Sequence, residues 1–277
     1  LAKVKAEKKH IPHDSYENDI LPGFPINGNA EHAARLIPNM NNKSPMVEAY
    51  RNLRTDLQFV NVDEPITRMM VTSSMPGEGK SLTCANLAIS YAELGKKVII
   101  VDCDMRKPMQ YKIFGVEKTP GLSDCLVRND HETYCNKVIK PTVIPKLHVL
   151  PSGTNPPNPA EMLASQKMKM LIKKLQEMYD IVIFDTPPMM AVSDPKILTP
   201  MVGNVLLVIR ASKAVFPALQ DTVERINKVG GTLVGGVLNG LGKTKGYGYY
   251  YKYSYYYNYQ YYNDDQGQKK KKQKKKH

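Results

Sequence analysis

One stretch of eight residues constrains the fold of this chain more than any other: Ser74-Met75-Pro76-Gly77-Glu78-Gly79-Lys80-Ser81. It follows a short apolar run, residues 69–72, and opens a segment, residues 80–94, with the apolar spacing of a helix. A strand, a glycine-bearing loop and then Gly-Lys-Ser at a helix start make the P-loop arrangement. Backbone N–H groups of such a loop, together with the helix N-terminus, form a nest for an anion. Lys80 then reaches the β- and γ-phosphates of ATP, and the Ser81 hydroxyl ligates Mg2+. Ser74 stands where the pattern has its first glycine, which leaves Gly77 and Gly79 to supply backbone freedom. The residues expected to cradle the nucleotide are Met75, Pro76, Gly77, Glu78, Gly79, Lys80, Ser81 and Leu82.

The neighbouring sequence fits an α/β fold, a P-loop NTPase with a mostly parallel central sheet flanked by helices. Strands are expected over 69–72, 97–102, 147–150, 181–185, 205–209 and 233–238, and helices over 45–59, 80–94, 160–178 and 217–229. Val-Ile-Ile-Val at 98–101 and Ile-Val-Ile-Phe at 181–184 are continuous apolar runs, as strands buried on both faces require. This core segment spans residues 44–245. Residues 1–43 are polar and broken by Pro and Asn, and are expected to form a disordered arm or linker. Residues 246–277 are low-complexity, first tyrosine-rich and then lysine-rich, and cannot build a core.

Two strand ends carry acid. The run at 98–101 leads into Asp102-Cys103-Asp104-Met105-Arg106, and the run at 181–184 into Asp185-Thr186-Pro187-Pro188. In an open α/β sheet the ligand sits beyond the carboxyl ends of the strands. Carboxylates there are placed where hydrated Mg2+ needs oxygen ligands. Ser81 and Asp185 are the metal candidates, with Asp104 a further one. Asp102 and Asp104 alternate along an extended segment and so point the same way. Lys80, Asp102 and Asp104 are the catalytic candidates. Asp102 is the first candidate to receive or orient a hydroxyl proton, and exchanging its role with Asp104 is equally open. Arg106 would support phosphates, meet a neighbouring chain or simply face solvent.

The net charge of +13 says less than its size implies, because seven lysines lie within residues 269–276 and leave +6 elsewhere. Such a run is ordinarily solvated, although near anionic lipid each lysine is worth about 1 kcal/mol. Nucleic acid is not an expected partner. The four cysteines form no C-x-x-C pair and are too sparse for a disulfide framework. No apolar run approaches the roughly 20 residues that span a bilayer. The expected location is cytoplasmic.

In its motifs the chain resembles the bacterial tyrosine kinases of capsule and exopolysaccharide synthesis. The resemblance covers residues 44–262. It rests on residues 72–81 as Walker A, residues 101–106 as the additional Walker A′ and residues 181–185 followed by Thr-Pro-Pro as Walker B. Asn155-Pro156-Pro157-Asn158-Pro159-Ala160-Glu161 resembles a further family segment. Glu48-Ala49-Tyr50-Arg51-Asn52-Leu53-Arg54 matches the family's E-x-x-R-x-x-R helix. By spacing alone, Glu48, Arg51 and Arg54 share one helix face and make an intrahelical pair worth a few tenths of a kcal/mol. The resemblance implies instead that they close a homo-oligomeric ring. Partitioning and division-site ATPases of the ParA/MinD type, acting as nucleotide-dependent assembly switches, are the alternative. Their signature lysine would stand at position 75, which is Met75 here.

The resemblance also implies an ATP-dependent protein-tyrosine kinase whose own tail is its substrate. The tail tyrosines are Tyr247, Tyr249, Tyr250, Tyr251, Tyr253, Tyr255, Tyr256, Tyr257, Tyr259, Tyr261 and Tyr262. They are nearly the only aromatic residues used there, and the feature they share is the hydroxyl. The implied partners are a transmembrane polysaccharide co-polymerase or adaptor as activator, a protein-tyrosine phosphatase, and polysaccharide-synthesis enzymes as outside substrates. The implied place is the inner face of the cell membrane, reached through the adaptor.

Overall fold

The computed structural model describes residues 2–3, 34–40, 44–61, 63–128 and 130–241. Among these residues the strands are β1 (Ala2–Lys3), β2 (Arg68–Ser73), β3 (Val98–Asp102), β4 (Lys140–Pro141), β5 (Leu147–Leu150), β6 (Ile181–Asp185), β7 (Asn204–Arg210) and β8 (Thr232–Asn239). The helices are α1 (Pro45–Phe59), α2 (Lys80–Glu93), α3 (Gln110–Phe114), α4 (Leu122–Val127), α5 (His131–Val138), α6 (Pro159–Ala164), α7 (Gln166–Met178), α8 (Asp194–Val202) and α9 (Phe216–Lys228). One sheet takes the order β1-β8-β7-β2-β6-β3-β5-β4. Every pairing is parallel except β4 with β5.

Successive side chains of a strand point to opposite faces, and both faces of this sheet are covered. Met69, Val71, Val98 and Ile100 pack on one side with Val47, Leu53, Leu87 and Ile89 from α1 and α2. Met70, Ile99, Val101 and Val182 pack on the other with Leu171, Leu175, Leu198 and Ile226 from α7, α8 and α9. Burying a side chain of this size stabilises by about 1.5–3 kcal/mol. This is why β3 and β6 need an apolar residue at every position before their terminal aspartates. Among the described residues no helix is long and apolar enough to cross a membrane.

The expected elements are present with shifts of one residue or so at their ends, with one division. The helix expected over 160–178 is two helices, because the Ser165 side chain accepts a hydrogen bond from the Met168 N–H and caps α7 where α6 ends. The short helices α3, α4, α5 and α8 have no counterpart in the sequence reading. Within the expected arm, residues 34–40 are not detached. Leu36 and Ile37 lie in the core beside α1 and α2. The Ile37 N–H donates to Asn86 Oδ1 at 2.8 Å, and Asn86 Nδ2 donates to the Arg35 carbonyl at 3.1 Å. Ala2–Lys3 pairs in parallel with Val237 and Leu238 of β8. The physical reason for the departure is distant in sequence: two apolar residues and one buried amide some fifty positions away suffice to anchor a polar segment.

Asn86→Ala should therefore cost about 1–3 kcal/mol, the penalty for a buried N–H left without its acceptor. Urea denaturation should show a lower midpoint with the slope unchanged. An unmoved midpoint would mean that residues 34–40 add nothing to the stability of the core.

Candidate active site

The phosphate loop leaves the C-terminal end of β2, a strand held between β7 and β6. Gly77 and Gly79 have φ of 78° and 94°, which suits glycine and strains other residues. A Cβ on Gly79 would displace Asn239 Nδ2, and so break its bond to the Glu78 carbonyl. Buried Glu78 turns back on its own loop, accepting the Met75 N–H at 2.8 Å and the Arg210 N–H at 3.3 Å. Arg210 Nη1 donates to the Gly77 carbonyl at 2.9 Å, and Asn239 Nδ2 donates to the Glu78 carbonyl at 2.9 Å. The last residues of β7 and β8 thus hold the loop from outside, while α2 begins at its inner end.

Lys80 Nζ lies 3.0 Å from Asp104 Oδ2 and 3.4 Å from Ser81 Oγ. Burial alone would lower the lysine pKa, but the nearby Asp185 and Asp104 carboxylates outweigh it and hold Lys80 above its ordinary value. Asp102 and Asp185 are cross-strand neighbours, both fully buried. Burial first, and then the adjacent Asp185 charge, pushes Asp102 well above the usual carboxylate range. Burial also raises Asp185, against the opposing pull of Lys80 and of the hydrogen bond from Gln110.

The three carboxylates are bound differently. Both oxygens of Asp102 are taken by its own loop: Oδ1 accepts the Asp104 N–H at 3.2 Å, and Oδ2 accepts those of Met109 and Gln110 at 3.1 and 3.0 Å. Asp104 Oδ1 accepts the Lys107 N–H at 2.9 Å, leaving Oδ2 on Lys80. Asp185 Oδ2 accepts Gln110 Nε2 at 2.7 Å, and its Oδ1 is buried without a partner. Asp102 and Asp104 both act on the Lys80 charge, and the Asp102 oxygens in addition hold the turn that follows β3.

An unpartnered buried carboxylate oxygen beside the Ser81 hydroxyl and Asp104 fits a divalent cation. Among the described residues no three His, Cys, Asp or Glu are grouped to hold a metal alone. A cation here would share its shell with phosphate oxygens, as Mg2+ does with a nucleotide.

Of the other expected residues, Met75 is exposed, and Leu82 packs toward the core, so only its backbone is near the loop. Arg106 finds its partner in its own chain, with Nε and Nη2 donating to the two oxygens of buried Asp194 at 3.0 and 3.1 Å. Arg51 pairs with Glu48 at 2.6 Å. Arg54 leaves that face and donates to the Ser90 carbonyl of α2 at 2.7 Å. The tail tyrosines Tyr247–Tyr262 lie outside the described residues.

A family model described as an AAA domain matches residues 66–234. The tyrosine-protein kinase YwqD of Bacillus subtilis is 40% identical over 198 residues, which are 72% of this chain and 82% of that protein. The chain belongs to the bacterial tyrosine-protein kinases. Solved structures agree. The kinase domain of Escherichia coli tyrosine kinase ETK has a TM-score of 0.74 and 30% identity over 87% of this chain and 90% of that one. The chimerical protein CapA2B2 has a TM-score of 0.70 and 37% identity over 76% and 91%.

In this kinase, sequence reasoning missed Gln110, Asp194, Arg210 and Asn239. Arg210 and Asn239 end β7 and β8 as Asp102 and Asp185 end β3 and β6, so the rule that found the acids would have found them too. Gln110 carries no local signal. The geometry also makes one substitution diagnostic. Asp104→Asn should free Lys80 for phosphate and tighten metal-free ADP by a few-fold, worth about 1 kcal/mol. The rate of phosphotyrosine formation should fall at least about tenfold. Calorimetry and a single-turnover assay separate the two, and parallel losses in both would reduce Asp104 to a structural residue.

Proposed function

We propose that the kinase transfers the γ-phosphoryl group of ATP to the tyrosines of a neighbouring subunit's C-terminal segment, Tyr247 to Tyr262, and thereby controls capsule or exopolysaccharide synthesis and export. The observation that carries this reading is the Lys80–Asp104 pair beside the unpartnered Asp185 Oδ1, in a chain with eleven tyrosines close together. When the nucleotide enters, Lys80 exchanges Asp104 for the β- and γ-phosphates. Asp104 is then released to orient the incoming tyrosine hydroxyl, protonated at neutral pH, and to receive its proton. We assign this role to Asp104 because Asp102 would have to surrender loop N–H groups to perform it. The tyrosine oxygen forms the new bond to phosphorus as the bond to the bridging oxygen breaks and ADP leaves. Ser81 and Asp185 would hold Mg2+, which when bound neutralises charge on the phosphate oxygens.

Each phosphate adds about −1.5 to −2 charges, so eight modified tyrosines would roughly cancel the surplus of +13. Assembly in the unmodified state and dissociation in the modified one follow. Mixing the inactive full chain Lys80→Met with an active chain ending at Lys245 tests the trans step with labelled ATP. Label should enter the tail of the inactive chain, and an unlabelled tail there would refute transfer between subunits.

Ring closure would use the exposed Glu48–Arg51 pair of α1 against a different face of the next subunit, a heterologous contact. Arg54 supports that face from below through Ser90. A membrane adaptor would bring the ring to the inner face of the cell membrane and activate it, with a phosphatase resetting the tail and polysaccharide-synthesis enzymes as further substrates. Replacing Glu48 and Arg51 together by Ala should lower the assembly mass measured by light scattering, and an unchanged mass would leave only the intrahelical pair.

A further inference from the structure

Gln110 is fully buried at the first position of α3, and no nucleotide motif includes it. Its backbone N–H donates to Asp102 Oδ2 at 3.0 Å. Its side-chain amide donates twice, to the Ser81 carbonyl at 3.0 Å and to Asp185 Oδ2 at 2.7 Å. One residue therefore ties together the phosphate-loop helix, the Asp102 turn and the end of β6. The amide orientation follows from these partners, because turning it over would set Gln110 Oε1 against a carbonyl and a carboxylate. Gln110 Oε1 has no hydrogen-bond partner and is buried. Leaving an acceptor unsatisfied costs stability, so local stability does not explain why an amide stands here.

We propose that Gln110 is a positioning residue for the metal shell, fixing the Asp185 carboxylate so that Oδ1, and not Oδ2, is presented to the cation. The terminal torsion of an aspartate is broad and nearly two-fold, so an unanchored carboxylate samples several orientations. Anchoring Oδ2 through one N–H selects a single orientation. Donation to the Ser81 carbonyl by the other N–H fixes the spacing between the two elements that carry the metal ligands. The carboxylate and the serine are thereby held in register by a third residue that touches neither nucleotide nor metal. This role rests on the reading of Asp185 as a metal-shell residue proposed above.

Gln110→Met keeps the side-chain length and removes both donors. With ADP on the full-length protein, Mn2+ affinity read by electron paramagnetic resonance should fall roughly tenfold, at the lower end of the range for losing a residue that orients a metal ligand. Metal-free ADP binding should change by less than about twofold, since the loop's outer clamps are untouched. Equal weakening of metal-free ADP and of Mn2+ would overturn the proposal, because general loosening of the site does that. Asp185→Asn is the parallel variant. If it weakens Mn2+ while Gln110→Met does not, the positioning role fails alone. If it leaves Mn2+ binding unchanged, the metal-shell reading of Asp185 fails and this inference with it. Should Gln110→Met not fold, Gln110→Asn, whose amide falls one methylene short of Asp185, supports the same comparison.

Discussion

Three carboxylates and one ammonium share the buried ends of β2, β3 and β6, and the rest of the site is built around that imbalance. Two like charges 4 Å apart repel by about 4 kcal/mol at an effective dielectric near 20. Neighbouring strands in register bring Asp102 and Asp185 together whatever their chemistry. The protein answers with three different environments. Backbone N–H groups surround Asp102, Lys80 meets Asp104, and a neutral amide takes one oxygen of Asp185. Three residues of like type thereby acquire separate surroundings, and the roles proposed for them follow those surroundings.

The central architecture could be read from the sequence because its signals are local. Continuous apolar runs gave away β3 and β6, since strands covered on both faces have no solvent side to mark with polar residues. Gly-Lys-Ser after a strand located the phosphate loop within a residue. The short helices α3, α4 and α5 escaped because five to eight residues are too few to show a 3.6-residue period. Leu36 and Ile37 escaped because two apolar residues in a polar segment look like a linker until Asn86, some fifty positions later, is seen to bind the backbone of Arg35 and Ile37 on either side of Leu36. Gln110 acts across 75 positions, and no local pattern encodes such a separation.

Arg54 shows how a motif can be legible and still mislead about geometry. Its spacing from Glu48 and Arg51 puts it on their face in an ideal helix, yet its guanidinium reaches the last turn of α2. The helix that offers a pair of charges outward is thus tied by its third charged residue to the helix that begins at the phosphate loop. A single element joins the surface expected to meet another subunit to the scaffold of the chemistry.

The clamp on Glu78 has a consequence for the order in which the protein is made. The loop's outer support at Asn239 is translated 161 residues after the carbonyl it binds. At a ribosomal rate of about 5–20 residues per second, the interval is roughly 8–30 s. During that time a nascent chain holds the phosphate-binding sequence without the contact that shapes it. The outer clamp on the loop is therefore complete only once β8 has been synthesised and has paired with β7, so the last strand of the sheet finishes a loop begun at its centre.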